Sequence, residues 1–219
     1  MLQQILFAEG GALPPPKFVN AGAVSSAGNS SSRTPALPAS IVAGNLLLAY
    51  IEGSGTGTVN PWTCSAGWTV VHGSANRTNI WAYAWRIANG SDVAPTFTTI
   101  ETTVKSISQV LQYSGTHQTS PIDTEATGGG GGVANTSLTY VTITTNFPNE
   151  LVVAILIAIS NQTIPTIGGY TIEGSANATS NGSSTVCDLV QATAGVVAGG
   201  TVGISSSLFV SFQIGLRTP

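Results

Sequence analysis

The residues that could do acid-base or metal chemistry gather around one stretch of the chain. His117 is followed by Asp123 and Glu125, and Ser114 and Ser120 are close by. A histidine beside a serine, oriented by a carboxylate, is the arrangement of nucleophilic catalysis, and two carboxylates across a cleft can hydrolyse a glycoside. The same oxygen and imidazole groups could hold a metal ion. Composition alone produces such neighbours in a loop rich in serine and threonine, so we expect a solvated loop, no catalytic, metal or cofactor site, and a protein that is not an enzyme.

Four aromatic residues form a second candidate site. Trp81, Tyr83 and Trp85 alternate along a strand-like segment and therefore project from one face. The other face carries Ile80, Ala82 and Ala84. Aromatic rings can stack on sugars, but an alternating row more often packs in a core or interface, since each ring buries about 150–250 Å². Trp62 follows Pro61 in a loop rich in glycine and threonine, so we expect it to be the best exposed. Trp62, Trp81, Tyr83 and Trp85 are thus candidate interface or glycan-binding residues.

The two cysteines and the glycine run have simpler interpretations. Cys64 and Cys187 are far apart and lack the spacing of a metal-binding pair. We expect two buried thiols, with a disulfide as the alternative in an oxidising compartment. The run from Gly128 to Gly132 lacks the Lys-Ser/Thr ending of a phosphate-binding loop, and we interpret it as a linker.

The composition predicts a folded protein with a polar but weakly charged surface. Only 7% of the 219 residues are charged, against about 25% in typical proteins, whereas 42% are hydrophobic and the net charge is −3. Copies with such a surface repel one another little, so we expect the protein to be part of an assembly. The alternative is an extracellular monomer. The six basic residues are scattered, so we expect no nucleic acid partner.

The pattern of apolar residues disfavours two further classes of protein, those that span a membrane and those exported by a signal peptide. The run from Leu151 to Ile159 is about half of what a bilayer-spanning helix needs, so we expect no membrane partner. The first nine residues lack the cationic region and apolar run of a signal peptide, so we expect no export by that route.

The chain repeats itself once, at a distance of about a hundred residues. The segment LLLAY at Leu46–Tyr50 is echoed by LVVAI at Leu151–Ile155, and GSAN occurs both at Gly73–Asn76 and at Gly174–Asn177. A unit of this size repeated once is neither a solenoid nor a propeller blade. It indicates that each unit forms half of a β-sandwich. We predict an all-β protein whose pseudo-repeat halves cover about 34-115 and 137-217.

The strand pattern places particular segments in the sandwich. Leu46–Ile51 and Leu151–Ile159 are continuous apolar runs, which predict central strands buried on both faces. The residue types in Gly73–Asn76 predict a turn. A single domain, 17-219, is preceded by an arm and Pro-rich linker, 1-16. The arm residues expected to contact a neighbouring subunit, or else to fold back on the domain, are Leu2, Ile5, Leu6 and Phe7.

Several motifs together resemble a domain widespread in tailed-phage virion proteins and in large bacterial surface or secreted proteins. That family has a Gly-Asp-Leu-Leu-Leu-Ala strand, a Gly-Trp-Thr turn, a Tyr-x-Gly-Val-x-x-x-x-Pro-Ile-Asp stretch and an Asn-x-Leu-Val-Val strand. The counterparts here are GNLLLAY, GWT, YSGTHQTSPID and NELVV, within a resemblance that covers most of Phe18 to Pro219. Asn45 replaces the family's aspartate, and Ser114-Gly115-Thr116 departs slightly from the usual pattern.

The resemblance implies a jelly-roll-like β-sandwich that serves assembly, display or adhesion and has no catalytic residues. We therefore expect a phage virion structural protein, a capsid decoration protein or a component of a head or tail appendage. It would be assembled in the host cytoplasm with major capsid or tail proteins as partners, as a homo-oligomer with the trimer as the candidate form. The alternative is a receptor-binding or adhesin module of a tail fibre or bacterial surface protein that recognises cell-surface glycan through Trp62 and its neighbours.

Overall fold

The computed structural model describes residues 13–55, 62–76, 79–100, 105–129, 132–178 and 181–219. Within these ranges the chain forms strands, and no helix is long and apolar enough to cross a membrane. The arm residues Leu2, Ile5, Leu6 and Phe7 lie outside the described residues.

The first half of the chain contributes nine strands. They are β1 (Lys17–Ala21), β2 (Ser25–Ala27), β3 (Ser32–Arg33), β4 (Leu46–Ser54), β5 (Thr63–Cys64), β6 (Thr69–Asn76), β7 (Asn79–Ile87), β8 (Phe97–Thr98) and β9 (Lys105–Ser114). Most of them form the first main sheet, in the order β1-β9-β4-β7-β6 with β2 also paired to β9, while β3-β8-β5 form a small outer sheet.

The second half is built in the same way. Its strands are β10 (Ile122–Gly129), β11 (Asn135–Tyr140), β12 (Ile143–Thr145), β13 (Glu150–Ala158), β14 (Thr171–Ala178), β15 (Gly182–Gln191), β16 (Gly195–Val197), β17 (Gly200–Ser207) and β18 (Phe209–Leu216). The second main sheet has the order β10-β18-β13-β15-β14, and the pairs β11-β17 and β12-β16 lie outside it.

The two main sheets pack face to face, so the all-β sandwich prediction is confirmed. One core lies between them and takes alternate residues from both sheets, including Leu48, Tyr50 and Tyr83 from the first and Ile155 and Phe212 from the second. The outer faces are covered by separate apolar clusters under the small sheets and loops. Strands β4 and β13 are flanked on both sides and covered on both faces, as their continuous apolar runs predict.

The matching sequence segments occupy matching places in the two sheets. In strand order β1, β9, β4, β7 and β6 correspond to β10, β18, β13, β15 and β14. Before β6 and β14, Gly67 and Gly169 adopt φ values of +87° and +86°, a left-handed conformation that glycine adopts without steric penalty. Within each half the chain moves repeatedly between the main sheet and the smaller outer sheets. The jelly-roll assignment and the internal duplication themselves stay predictions.

Three expectations about local structure are wrong. The predicted turn Gly73–Asn76 belongs to strand β6, because strands β6 and β7 extend to Asn76 and Asn79 before the chain reverses. Asp123 and Glu125, expected in a loop, lie on β10, where pairing with β18 overrides the low strand propensity of their glycine- and acid-containing segment. Gly128 and Gly129 are the end of that strand and not linker residues, since Gly128 pairs with Ser211 and leaves no room for a side chain there.

Candidate functional site

His117 and Asp123, predicted as neighbours in one loop, make hydrogen bonds to different parts of the chain. The His117 Nδ1 atom accepts a hydrogen bond from the backbone N–H of Ser120 at 3.1 Å, which closes a local turn. The Asp123 carboxylate accepts from the backbone N–H of Asn146 at 2.8 Å and from its side-chain amide at 3.1 Å. Glu125 is exposed on the same strand as Asp123. No three His, Cys, Asp or Glu side chains of the described ranges lie close enough to hold a metal ion.

The expectation that Trp62 is exposed is wrong. Its side chain is 0% exposed, because the ring packs into the apolar cluster on the outer face of the first main sheet, together with Phe97 of the small sheet β3-β8-β5. The row Trp81, Tyr83 and Trp85 points inward, as the alternation predicts, while Ile80, Ala82 and Ala84 face the outer cluster. The Trp81 and Tyr83 rings meet Phe212 of the other sheet edge-on, with centroids 5.3 and 5.7 Å apart. These aromatics therefore join the two sheets.

The two cysteines occupy different layers. Both thiols are free. Cys64 packs against the outer cluster of the first main sheet and Cys187 lies in an outer cluster of the second, so both sheets separate them. Burial raises the pKa of both thiols, that of Cys187 to about 12. The prediction of two thiols is confirmed, although Cys64 is only half buried.

An open cleft of about 210 Å³ lies at one edge of the sandwich, where β1 covers the end of the second main sheet. We call it the acid cleft. Its lining residues are Pro15, Pro16, Lys17, Phe18, Leu151, Glu173, Asp188 and Val190. One wall therefore comes from the start of the first sheet and the other from β13, β14 and β15 of the second, so the cleft exists only when both sheets are assembled.

Two carboxyl groups, those of Asp188 and Glu173, come together in the acid cleft. Asp188 follows Val186, whose side chain belongs to the core between the sheets, and Cys187, which faces outward, so strand alternation turns Asp188 inward. A bulge in β14 between Ile172 and Gly174 leaves Glu173 beside it. Asp188 is 8% exposed, and burial, with the charge and hydrogen bonding of Glu173 as further causes, raises the pKa of its carboxyl to about 7.

The phenol of Tyr113 lies behind this pair. Its ring meets that of Phe18 edge-on at 5.7 Å, and the side chain is fully buried. Burial raises the pKa of the hydroxyl well above its usual value, and the charges of Asp188 and Glu173 raise it further. The hydroxyl has no hydrogen-bond partner among the residues that the structure describes.

A second carboxyl pair lies at the start of β13. Glu150 is 0% exposed, and burial, together with the charge and hydrogen bonding of Asp123, raises the pKa of its carboxyl to about 7, while Arg217 partly offsets the effect. The Arg217 guanidinium stacks over the Phe147 ring at 4.1 Å from its centroid. This pair is packed within its own half.

A third buried acid lies between the sheets. Burial raises the pKa of Glu52 well above its usual value, although hydrogen bonding from Asn79 and from the Val210 backbone offsets part of the effect. The Asn79 amide also donates to the Phe209 carbonyl of the other sheet at 2.8 Å. Glu52 therefore belongs to the polar contacts that join the sheets.

Sequence reasoning did not identify either carboxyl pair as a pair. A usable signal existed at Asp188, which interrupts an otherwise buried alternating strand where a charged residue is unfavourable. Glu150 and Glu52 likewise adjoin the two continuous apolar runs. No signal pointed to Glu173, because its position depends on the bulge.

Comparison with protein-family models, with curated proteins and with solved structures finds no match to this chain.

Proposed function

We propose that this chain is a non-enzymatic structural protein of a phage virion, acting as a capsid decoration protein or as part of a head or tail appendage. The observation that carries the proposal is the scarcity of charge on its surface. The chain has six basic and nine acidic residues in 219. Of these, Arg33, Glu52, Glu150 and Asp188 are buried.

A surface of this kind suits stable association with other subunits. Few charged groups have to lose water when such a surface is covered, and the centres of stable interfaces are depleted in charged residues. Arg86 and Asp92, with N and O atoms 3.0 Å apart, make the one ion pair within the described ranges. Several large apolar side chains are also exposed: Leu13, Val19, Val42, Val93, Ile100, Val133, Ile172, Val190 and Val196.

The close packing of the two main sheets against each other supports a role in which the protein occupies a site and does no chemistry. Ring contacts and buried hydrogen bonds join the two main sheets. One such hydrogen bond runs from the Tyr50 hydroxyl to Ser184 Oγ at 2.8 Å, and the Trp81 ring contacts that of Phe212. The glycan-binding alternative depended above all on Trp62, which is buried and cannot present its ring to a sugar.

The copy number of this chain in purified particles tests the proposal. Quantitative gel staining against the major capsid protein should give hundreds of copies for a capsid decoration protein, or a few to a few dozen for a tail or appendage component. Light scattering of the purified chain measures the expected homo-oligomer, with the trimer as the candidate form. Absence of the chain from particles purified from producing cells would refute a virion role.

A further inference from the structure

The acid cleft has two neighbouring carboxyl groups, that of Asp188 buried and that of Glu173 partly buried, and no lysine or arginine of the described ranges forms an ion pair with them. We propose that the acid cleft binds the side-chain ammonium group of a lysine that a partner protein presents. This inference goes beyond the virion role and does not depend on it, since the cleft would recognise such a lysine in any assembly.

The walls of the cleft fit the aliphatic part of a lysine side chain. Phe18, Leu151 and Val190 provide apolar surface along it, and lysine commonly buries its carbon chain while its charged end meets polar groups. The volume of about 210 Å³ is below the range of roughly 300–1,000 Å³ that holds drug-sized ligands. The cleft therefore suits a single side chain.

The inner end of the cleft fits the charged end of that side chain. Asp188 and Glu173 supply carboxylate oxygens, and the buried Tyr113 hydroxyl lies close enough to feel the charge of both. An ammonium group carries three N–H donors, and the oxygens of the two carboxylates can accept them.

Charge complementarity favours a cation over other occupants. Buried carboxylates in proteins are normally paired with a cation or neutralised. No lysine or arginine nitrogen of the described ranges lies within ion-pair distance of Asp188 or Glu173. Lys17 lines the cleft from β1, but its side chain is largely exposed.

The surroundings of the mouth indicate that the lysine belongs to a protein. Val190 is 48% exposed and Leu13 is 50% exposed. The Leu13 carbonyl accepts a hydrogen bond from the Asn149 amide at 3.2 Å, which ties the segment before Pro15 next to the start of β13. A polypeptide that presents a lysine to the cleft would cover this apolar surface, which a free amine would leave exposed.

Binding should strengthen with pH. The charged and titratable groups that face the site are Asp188 on β15, Glu173 on β14, Lys17 on β1 and Tyr113 on β9. Since the pKa of Asp188 is about 7, the carboxyl pair gains its full charge only above that value. The apparent Kd for an ammonium should therefore fall about tenfold between pH 6 and pH 8.

Titration followed by NMR tests the proposal on the full chain. The probes are n-butylammonium chloride, sodium chloride at the same ionic strength, and 1-butanol as an uncharged probe of similar size. We expect saturable shifts at Phe18, Glu173 and Asp188 with butylammonium only. Equal shifts with 1-butanol, or none beyond those of sodium chloride, would overturn the ammonium site.

Variants locate the binding and identify the source of the amine. Asp188→Asn should weaken butylammonium binding at least tenfold, whereas Asp123→Asn, in the other carboxyl pair, should leave it unchanged. Glu173→Gln replaces Asp188→Asn if the latter loses its dispersed spectrum. A capped alanine-lysine-alanine peptide should bind more tightly than butylammonium and lose its binding when norleucine replaces the lysine. Equal affinity of peptide and butylammonium would refute docking of a protein, and the copy number in particles would be unaffected by either result.

Discussion

Replacing Glu150 by glutamine should stabilise the protein at alkaline pH and leave its stability in acid unchanged. Glu150 is 0% exposed, and burial raises the pKa of its carboxyl from the ordinary 4.5 to about 7. Below about pH 4.5 the carboxyl is protonated in both states and does not oppose folding. Between 4.5 and 7 the unfolded chain releases the proton more readily, so stability falls as pH rises, and above 7 the loss is constant.

The size of the expected gain in stability follows from the pKa of the Glu150 carboxyl in the unfolded and in the folded chain. Their difference corresponds to about 3 kcal/mol, since each tenfold change in proton affinity is about 1.4 kcal/mol. Glutamine has nearly the same shape and no ionisable proton, so Glu150→Gln removes this loss. For a chain of this size the gain should appear at pH 8.5 as a rise in Tm of roughly 6–12 °C, with little or no change at about pH 3.5, where the carboxyl is protonated in both states.

Urea unfolding at the two pH values measures the effect directly. Glu125→Gln on β10 is the matched comparison: partial burial raises the pKa of the Glu125 carboxyl less than that of Glu150, so its gain at pH 8.5 should be clearly smaller. Asp123→Asn should reduce the pH dependence in part, since the charge of Asp123 contributes to the raised pKa. No gain from Glu150→Gln at pH 8.5, or the same gain at both pH values, would show that ionisation of the buried Glu150 carboxyl does not oppose folding.

Three further predictions concern packing and the thiols. Trp62→Ala should destabilise the fold by about 3–5 kcal/mol, because the ring is fully buried; thermal unfolding measures this, and a normal Tm would contradict the burial. Gly22→Ala should destabilise strongly, because a Cβ there would overlap the carbonyl of a crossing segment, whereas Gly174→Ala has nothing within 4 Å and should change the unfolding midpoint little. Mass spectrometry after alkylation should show Cys64 and Cys187 both labelled in the unfolded chain without reductant, and labelling that requires reductant would reveal a disulfide.

Strand identity could be predicted where the apolar pattern is strong. The apolar runs Leu46–Ile51 and Leu151–Ala158 lie in central strands, because only burial on both faces suits such a run. The alternation in Asn79–Ile87 correctly separates the inward aromatic row from the outward small residues. Strand β10 was missed because its two acids and its terminal glycines have low strand propensity, and pairing with β18 decides its structure.

The acid cleft could not be predicted in the same way. Asp188 and Glu173 are far enough apart in sequence that only the pairing of β14 with β15 brings them close, and the bulge then selects the face on which Glu173 lies. The burial of Trp62 depends on its contact with the apolar cluster on the outer face of a main sheet, and local composition does not reveal that contact. Long-range packing therefore determines the features that matter for the site.

The assignment of each main sheet to one contiguous stretch of chain has a consequence for biosynthesis. All strands of the first main sheet lie before Gly115, and all strands of the second lie after it. A ribosome adds about 5–20 residues per second, so the first sheet can pair its strands about 5–20 s before the second is complete. During that interval its inner face, including Tyr50, Tyr83 and Tyr113, has no partner, and the half-synthesised chain is the species most exposed to aggregation and most dependent on chaperones.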